Sequence, residues 1–406
     1  MTTRTLDMAN VIASDVTIAG DKTFSGDIIP SSPLSHRNLI INGAMQVAQR
    51  ASSATQVSNA AYATLDRWKF WENTDGSYQS SQVDITDLPG FTKAMLLSPN
   101  SADTSIANSQ YAFFGQLIEA QNLQHLSYST SSAKTLTLSF YVKSNLTGKM
   151  TVYVAKYDNT TRIVPLEFDL PSSANTWERI TLTVPALTES AAGVINNDNG
   201  MGLEFGWYLS AGSTYKVGTS GTWSSNSNGY STANHNVNFM SSTDNNFYIT
   251  GVQLELGDNA TPFEHRSYAE ELARCQRYFQ AHPLSGQVCF PYDGQKFFVN
   301  IQPFVPMRSR SALTVSKTHT VARMTTLDVA DYWVHGSGDY ANGDHWNDIS
   351  VTGHSNMETN FVITLKVNSS DGGLTDQEPV VVTGVNNTAR NGFTTTDGFI
   401  HFSSEL

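Results

Sequence analysis

The feature that most constrains the fold is a series of short segments between residues 35 and 268 in which apolar and polar side chains alternate. Clear examples are 135–142 (TLTLSFYV) and 150–154 (MTVYV), and further segments are 177–184, 201–209 and 247–256. Each segment is bounded by Gly, Asn, Asp or Pro, which favour turns over strands. Alternation with period two predicts antiparallel strands that have one buried face and one solvated face.

These strands follow one another without amphipathic helices between them, which predicts an all-β fold and, for residues 35–268, a jelly-roll-like β-sandwich. A length of 406 residues allows two or three domains. Strand patterns return at 297–301, 312–315, 361–367 and 380–382. Residues 283–406 are therefore predicted to form a second, smaller β-sandwich, distal and receptor-facing.

One segment has helical periodicity instead. Its apolar residues are spaced four, three and four apart, which places them on one face of a helix over 268–280; they are Tyr268, Leu272, Cys275 and Phe279. Glu270 and Arg274 are spaced for an i,i+4 ion pair. This pattern predicts a connecting helix within 269–282 whose buried stripe contributes to assembly.

Residues 1–34 contain too little apolar surface to fold alone. Val16 and Ile18 alternate with polar residues, and two Gly-Asp turns follow at 20–21 and 26–27. Such a segment cannot offset its ordering entropy unless it packs against other chains. It is either a loose leader peptide or, as we favour, a thin stalk or anchor in which three copies wrap around one axis.

Composition and motifs exclude several functions. Only 15% of residues are charged and the net charge is −12, with no clusters of Lys and Arg, so nucleic-acid binding is not expected. No apolar run approaches the ~18 residues of a membrane helix, and the N-terminal residues do not have the pattern expected of a signal peptide. Cys275 and Cys289 form no CxxC motif. GxSxG, HExxH and phosphate-loop motifs are absent, so we predict that the protein is not an enzyme.

Two loops contain aromatic residues in a polar context, the composition expected of a surface that stacks on sugars and reads their hydroxyl groups. Residues 210–238 contain Tyr215, Trp223 and Tyr230, and residues 331–348 contain Tyr332, Trp333, His335, Tyr340, His345 and Trp346. The alternatives are that Trp223 packs into the sandwich edge and that the second loop packs between subunits or against itself. No cofactor or regular metal site is predicted, although acidic residues of the second loop, with Glu255 and Asp258, leave a structural Ca²⁺ open.

Several longer strings resemble one family. They are 37–50 (RNLIINGAMQVAQR), 65–71, 135–154, 175–186, 299–316 and, most specifically, 247–280. These strings are similar to tail fibres and other virion appendages of tailed bacteriophages that carry a carbohydrate-binding jelly roll. The resemblance implies a homotrimeric virion structural protein, made in the host cytoplasm, that adheres to a host-surface glycan or protein.

Within that resemblance, residues 1–34 would attach the protein to another virion protein of the tail, nozzle, adaptor or capsid. A tail fibre, a head fibre and a baseplate-proximal appendage all remain open. The alternatives are a polysaccharide depolymerase similar to tailspikes, and a purely structural head or collar decoration protein.

Overall fold

The computed structural model describes residues 36–57, 59–283, 287–293, 296–308, 314–318, 349–356, 361–367, 380–382 and 399–405. Side chains are described within 36–282, 302–308 and 403–405. The predicted anchor 1–34 and the aromatic loop 331–348 lie outside the described residues.

Strands dominate the described part of the chain. The first set is β1 (Ser53–Ala54), β2 (Lys69–Glu72), β3 (Ser77–Asp84), β4 (Lys93–Ser101), β5 (Tyr111–Glu119), β6 (Leu136–Ser144), β7 (Lys149–Lys156), β8 (Arg162–Asp169), β9 (Glu178–Val184), β10 (Met201–Ala211) and β11 (Phe247–Leu256). Short 3₁₀ helices lie at Ala120–Leu126, Ser190–Ala192, Ser213–Tyr215 and Phe239–Ser241.

These strands form two antiparallel sheets. The six-stranded sheet has the order β1-β3-β4-β11-β6-β9, and the five-stranded sheet has the order β2-β5-β10-β7-β8. One contiguous apolar core lies between them. The prediction of a jelly-roll-like β-sandwich is confirmed, because sequence-distant strands such as β4 and β11 are neighbours within one sheet.

The core is built by the alternation seen in the sequence. On β6, Leu138, Phe140 and Val142 are fully buried in the core, whereas Tyr141 is partly exposed on the outer face. Trp207 of β10 lies at the centre, and its ring stacks on Phe114 at a centroid distance of 5.1 Å and an angle of 9°. Burial of such large rings contributes about 2–3 kcal/mol each, so the aromatic centre is a major source of sandwich stability.

The helix is shorter than predicted. Helix α1 (Tyr268–Gln276) is capped by Ser267, whose side chain accepts a hydrogen bond from the backbone N–H of Glu270. The chain then turns, and β12 (Phe279–Pro283) begins. The predicted extent 268–280 is wrong, because the chain turns at Tyr278, whose ring packs 3.5 Å from the guanidinium carbon of Arg67.

The predicted apolar stripe is only partly realised. Cys275 is fully buried and Leu272 is partly buried. Tyr268 is 56% exposed, so its predicted place in a buried stripe is wrong; it lies in the first turn, beyond the surface that the helix covers. Phe279 is 3% exposed, but as the first residue of a strand that pairs with Ser403.

Two further antiparallel sheets follow α1. Their remaining strands are β13 (Gln287–Asp293), β14 (Lys296–Ile301), β15 (Thr314–Thr318), β16 (Ile349–Asn356), β17 (Phe361–Val367), β18 (Val380–Val382) and β19 (Phe399–Ser403). One sheet has the order β12-β19-β15 and the other β16-β17-β14-β13-β18. Within the described residues after α1, every element is a β-strand, as predicted. No helix in the described residues is long and apolar enough to cross a membrane.

The C-terminal residues return to the jelly roll through a cluster that we call the terminal clamp, formed by Arg50, Arg67, Tyr278, Phe279 and Glu405. Glu405 accepts hydrogen bonds from Arg50 and Arg67. The guanidinium of Arg50 lies 3.8 Å from the ring centre of Phe279. Cation–π contacts and charge-assisted hydrogen bonds thus hold the end of β19 and the start of β12 against the first module.

Candidate functional site

The outer face of the five-stranded sheet is covered with aromatic side chains. We call this surface the aromatic face; its members are Trp71, Tyr111, Phe113, Tyr153, Tyr157, Tyr208, Tyr215 and Tyr230. A sheet face that points away from the core is normally polar. Three of these rings, Phe113, Tyr153 and Tyr208, are buried, and the others are partly exposed.

A row of stacked rings crosses three neighbouring strands of this face. Trp71 of β2 pairs with Phe113 of β5, which pairs with Tyr208 of β10. The ring centres of Trp71 and Phe113 are 4.6 Å apart at 16°, and those of Phe113 and Tyr208 are 4.8 Å apart at 25°. Phe113 and Tyr208 are 9% and 2% exposed, so they form the floor of the face, while Trp71 remains partly exposed.

Two of the predicted receptor-binding residues belong to this face, although they come from the loop after β10. They are Tyr215 and Tyr230. Tyr215 meets Tyr111 edge-on at 5.3 Å and 83°. Tyr230 meets Tyr153 edge-on at 4.9 Å and 83°. Both are partly exposed, so they flank the buried rings of Phe113 and Tyr208.

The next row along the sheet contains two glycines. Lys69, Gly115, Gly206 and Tyr153 are paired in that order across four strands. A Cβ added to Gly206 would lie 3.0 Å from Cε1 of Tyr153. Glycine is therefore required at position 206 for the fully buried ring of Tyr153 to lie against the sheet.

A buried carboxylate lies beyond this row. Glu204 of β10 is 7% exposed, and the hydroxyl of Tyr153 donates to it. Burial raises the pKa of Glu204, although hydrogen bonds from Tyr153 and Tyr157 and the charge of Lys69 act in the opposite direction. The hydroxyl oxygens of Tyr157 and Tyr230 are 3.3 Å apart, so a network of hydroxyl groups connects the carboxylate to the loop.

Lys69 supplies the cation of this end of the face. Its ammonium lies 5.2 Å from the ring centre of Trp71 and 5.5 Å from that of Tyr62. Burial lowers the pKa of Lys69, and the nearby charge of Glu204 partly opposes that change. The face therefore has an apolar side made of stacked rings and a polar side made of an ammonium, a carboxylate and hydroxyl groups.

Trp223, the third candidate of the 210–238 loop, lies elsewhere. Its Nε1 donates to the carbonyl oxygen of Pro185 at 2.8 Å. Its ring meets Tyr128 edge-on at 5.9 Å and packs against the core between the sheets. The structure thus places Trp223 at the sandwich edge, which was the alternative to a contact role.

Two groups of sequence candidates remain. Tyr332, Trp333, His335, Tyr340, His345 and Trp346 lie outside the described residues. Glu255 is 1% exposed and accepts the backbone N–H of Thr261 at 2.9 Å, so it braces the turn after β11. Within the described ranges, no group of three or more His, Cys, Asp or Glu side chains has an arrangement that holds a metal ion.

Most of the aromatic face was not foreseen, yet the sequence carries a signal for it. On β5, Ala112 and Phe114 face the core while Tyr111 and Phe113 face outward, so apolar residues occupy both faces of one strand. The sequence of β5, YAFFGQLIE, therefore does not alternate. A break in alternation within an otherwise alternating sandwich indicates a strand that is covered on both faces.

Comparisons with known proteins give no family. No family model matches the chain, and no curated protein matches it. Solved structures align with about half of it. A Bacteroides thetaiotaomicron protein described as sugar-binding shows a TM-score of 0.32 and 15% identity, over 54% of this chain and 100% of that one.

Two more matches are of the same kind. A domain of tailspike protein 4 of bacteriophage CBA120 has a TM-score of 0.29 and 12% identity, over 54% of this chain and 21% of that one. The CBM22-1 xylan-binding domain of Paenibacillus barcinonensis Xyn10C has a TM-score of 0.27 and 8% identity, over 55% of this chain and 96% of that one. At these scores the matches support no conclusion about function.

Proposed function

We propose that the aromatic face is a glycan-binding site. The observation that carries this proposal is the row of stacked rings on the outer side of the sheet, which ends in the partly exposed ring of Trp71 on the edge strand β2. Aromatic rings have electron-rich faces that attract the positively polarised C–H groups on one side of a sugar ring. Binding sites of this kind combine a mostly apolar lining with a few placed polar groups.

The polar groups needed to read hydroxyl groups lie beside the row. The ammonium of Lys69 donates hydrogen bonds, the carboxylate of Glu204 accepts them, and the hydroxyl groups of Tyr157 and Tyr230 do both. All four side chains are on or next to the aromatic face. A sugar ring stacked on Trp71 would lie beside the ammonium of Lys69, which is 5.2 Å from the centre of the Trp71 ring.

In a wider setting, we propose that the protein is a homotrimeric, non-enzymatic virion appendage that adheres to a host-surface glycan or protein, with residues 1–34 attached to another virion protein. The strings of residues that resemble phage appendages support this proposal. Trimerisation would gain affinity by linking weak sites. The loop 331–348 stays a proposed second contact, with Tyr332, Trp333 and Trp346 as its large aromatic residues.

The glycan-binding proposal is tested with a matched pair of tryptophan substitutions. We expect Trp71→Ala to weaken binding about tenfold or more on a glycan array and in titration calorimetry, because it removes the exposed end of the stacked row. Trp177→Ala is the control, since Trp177 is also partly exposed but packs on the outer face of the other sheet. Equal binding by wild type and both variants, or no binding to any glycan, would contradict the proposal.

The assembly and the lack of catalysis need separate measurements. A trimer is expected in sedimentation of the full chain, and a monomer that does not bind host cells would contradict the appendage proposal. New reducing ends after incubation with host capsular polysaccharide would instead support the depolymerase alternative.

A further inference from the structure

Strand β9 lies at one end of the six-stranded sheet, where β6 is its neighbour on one side. In an antiparallel pair, every second residue directs its N–H and C=O groups away from the partner strand. Within the part of the chain that the structure describes, no other group is hydrogen-bonded to these outer backbone groups of β9. β9 is therefore an open edge that offers backbone donors and acceptors to one further strand.

The neighbouring edge of the other sheet is closed. β8 is the end strand of the five-stranded sheet and contacts β9 across the sandwich. Ile163 of β8 exchanges two backbone hydrogen bonds of 2.9 Å with Ser224, and the carbonyl oxygen of Pro165 accepts from the N–H of Gly221 at 2.8 Å. A loop thus covers β8 as an additional strand would, whereas the described residues supply no such cover for β9.

The sequence of β9 does not protect this edge. Proteins usually protect open edges with proline, a bulge or a charged side chain that points inward. Residues 180–184 (ITLTV) include no proline and no charge, and the pairing of β9 with β6 has no register shift. Ile180 and Leu182 pack on the core but are only partly buried. A further strand with apolar residues on its inner side would complete their burial.

We propose that residues 14–19 (SDVTIA) of the same chain occupy this edge and pair with β9. Val16 and Ile18 alternate with polar residues, so their spacing matches that of Ile180 and Leu182. The N-terminal segment needs a further surface to offset its ordering entropy, and β9 offers that surface within one chain. Residues before this segment would still reach another virion protein.

The chain enters the described part beside the start of β9. Nη2 of Arg37 lies 3.5 Å from the carbonyl oxygen of Pro262. Arg179 of β9 donates to the carbonyl oxygen of Thr261, the preceding residue, so the two arginines contact adjacent carbonyl groups. Residues 20–36 can span up to about 55 Å, whereas the seven residues of β9 cover about 23 Å. The connection is therefore long enough to reach any position along the edge.

The pairing places one pair of residues together whatever the direction of the added strand. When the apolar residues of the two strands lie opposite each other, Thr17 lies opposite Thr181 in both the parallel and the antiparallel arrangement. Opposite residues of paired strands have Cα atoms about 4.5–5.5 Å apart, a separation that a disulfide bond spans. Thr181 is exposed. We therefore expect the full-length variant Thr17→Cys/Thr181→Cys to form a disulfide within one chain under mild oxidation.

The matched control joins the same segment to the opposite edge of the same sheet. Ser53 of β1 is also exposed on an end strand, but β1 is five strand spacings, or about 24 Å, from β9. Peptide mass spectrometry should find at least about fivefold more disulfide in Thr17→Cys/Thr181→Cys than in Thr17→Cys/Ser53→Cys. Single-cysteine variants measure any disulfide with the native Cys275 or Cys289.

Hydrogen exchange of the full-length protein provides a second readout. Backbone N–H groups at an unpaired edge exchange rapidly, whereas paired groups are protected. Val16→Asp/Ile18→Asp removes the apolar match and should speed exchange of the outer N–H groups of β9 at least about tenfold. Ile28→Asp/Ile29→Asp places the same two charges outside the paired segment and should leave this exchange unchanged. Thermal unfolding checks that both variants are folded.

Three outcomes would overturn the pairing. They are equal disulfide yields at positions 181 and 53, equal exchange of β9 in wild type and Val16→Asp/Ile18→Asp, and a disulfide that joins Thr17→Cys of one chain to Thr181→Cys of another. The last result would show strand exchange between copies instead of pairing within one chain. None of these outcomes bears on glycan binding, because the aromatic face lies on the other sheet.

Discussion

The terminal clamp predicts how strongly the two ends of the C-terminal part are held against the jelly roll. Glu405 is the shared partner of Arg50 and Arg67, and its side chain is 7% exposed, against 12% and 1% for the arginines. Glu405→Gln removes the charge but keeps the shape. We expect the free energy of unfolding to fall, because two buried guanidinium groups lose their common carboxylate.

The size of the effect follows from the contacts that remain. Loss of one partner of a buried ion pair costs about 3–5 kcal/mol. Arg67 keeps its hydrogen bond of 2.6 Å to the carbonyl oxygen of Leu117, and Arg50 keeps Asp66 at 3.9 Å. The amide of the new Gln also retains one acceptor oxygen. These residual contacts reduce the expected cost to about 2–3 kcal/mol.

Urea unfolding followed by tryptophan fluorescence, together with calorimetry, measures this cost. The matched control is Glu270→Gln, which removes the exposed partner of Arg274 at 3.0 Å and should cost about 0.5 kcal/mol or less. If Glu405→Gln lies within about 0.5 kcal/mol of wild type, the clamp does not stabilise the protein and the inferred coupling of the two parts is wrong.

Three further predictions concern the fold. Trp223→Ala should lower the free energy of unfolding by about 2–3 kcal/mol in calorimetry and leave glycan affinity unchanged, because the ring packs on the core. Gly251→Ala should cost about 2 kcal/mol or more, since φ is +61° and the new Cβ would lie 2.7 Å from Cζ of Phe91. The control Gly221→Ala should cost about 1 kcal/mol, because φ is +71° but nothing lies within 4 Å of the new Cβ. Equal losses of stability in the two variants would rule out a steric contribution at Gly251. Burial lowers the pKa of His235 to about 4, so below about pH 6.5 the unfolded chain binds a proton that the folded chain does not. Stability should therefore fall by about 3 kcal/mol between pH 6.5 and 4, and the difference between wild type and His235→Gln in urea titrations should show this loss.

Strands with alternating sequence were predictable from local pattern. The segment 247–256 coincides with β11, and 177–184 overlaps β9 at Glu178–Val184. β3 (SYQSSQVD) was not predicted, because its sequence is largely polar and its burial depends on pairing with β4, which only the folded chain provides. The end of α1 was not predictable for the same reason. Burial of Tyr278 against Arg67 ends the helix before Phe279, although the helical spacing of apolar residues continues to Phe279.

The aromatic face was harder to predict, because its residues are far apart in sequence. Trp71, Phe113 and Tyr208 meet only through the strand order β2-β5-β10, and no local pattern encodes that order. Loop composition led to Tyr215 and Tyr230, and also to Trp223, which the fold uses in the core. Composition alone cannot distinguish these cases, since all three residues lie among Ser, Gly and Asn.

Tyr215 and Tyr230 are held in fixed positions, which affects how the aromatic face would bind a glycan. The N–H of Ser231 donates to the carbonyl oxygen of Tyr215 at 3.0 Å, so the two ends of the loop are tied together. Tyr215 and Tyr230 each pack edge-on against a ring of the sheet. Side chains fixed in this way lose little conformational entropy when a ligand arrives. The rings of the loop therefore extend a preformed sheet surface, and a flexible loop that orders on binding is not needed to account for recognition at this face.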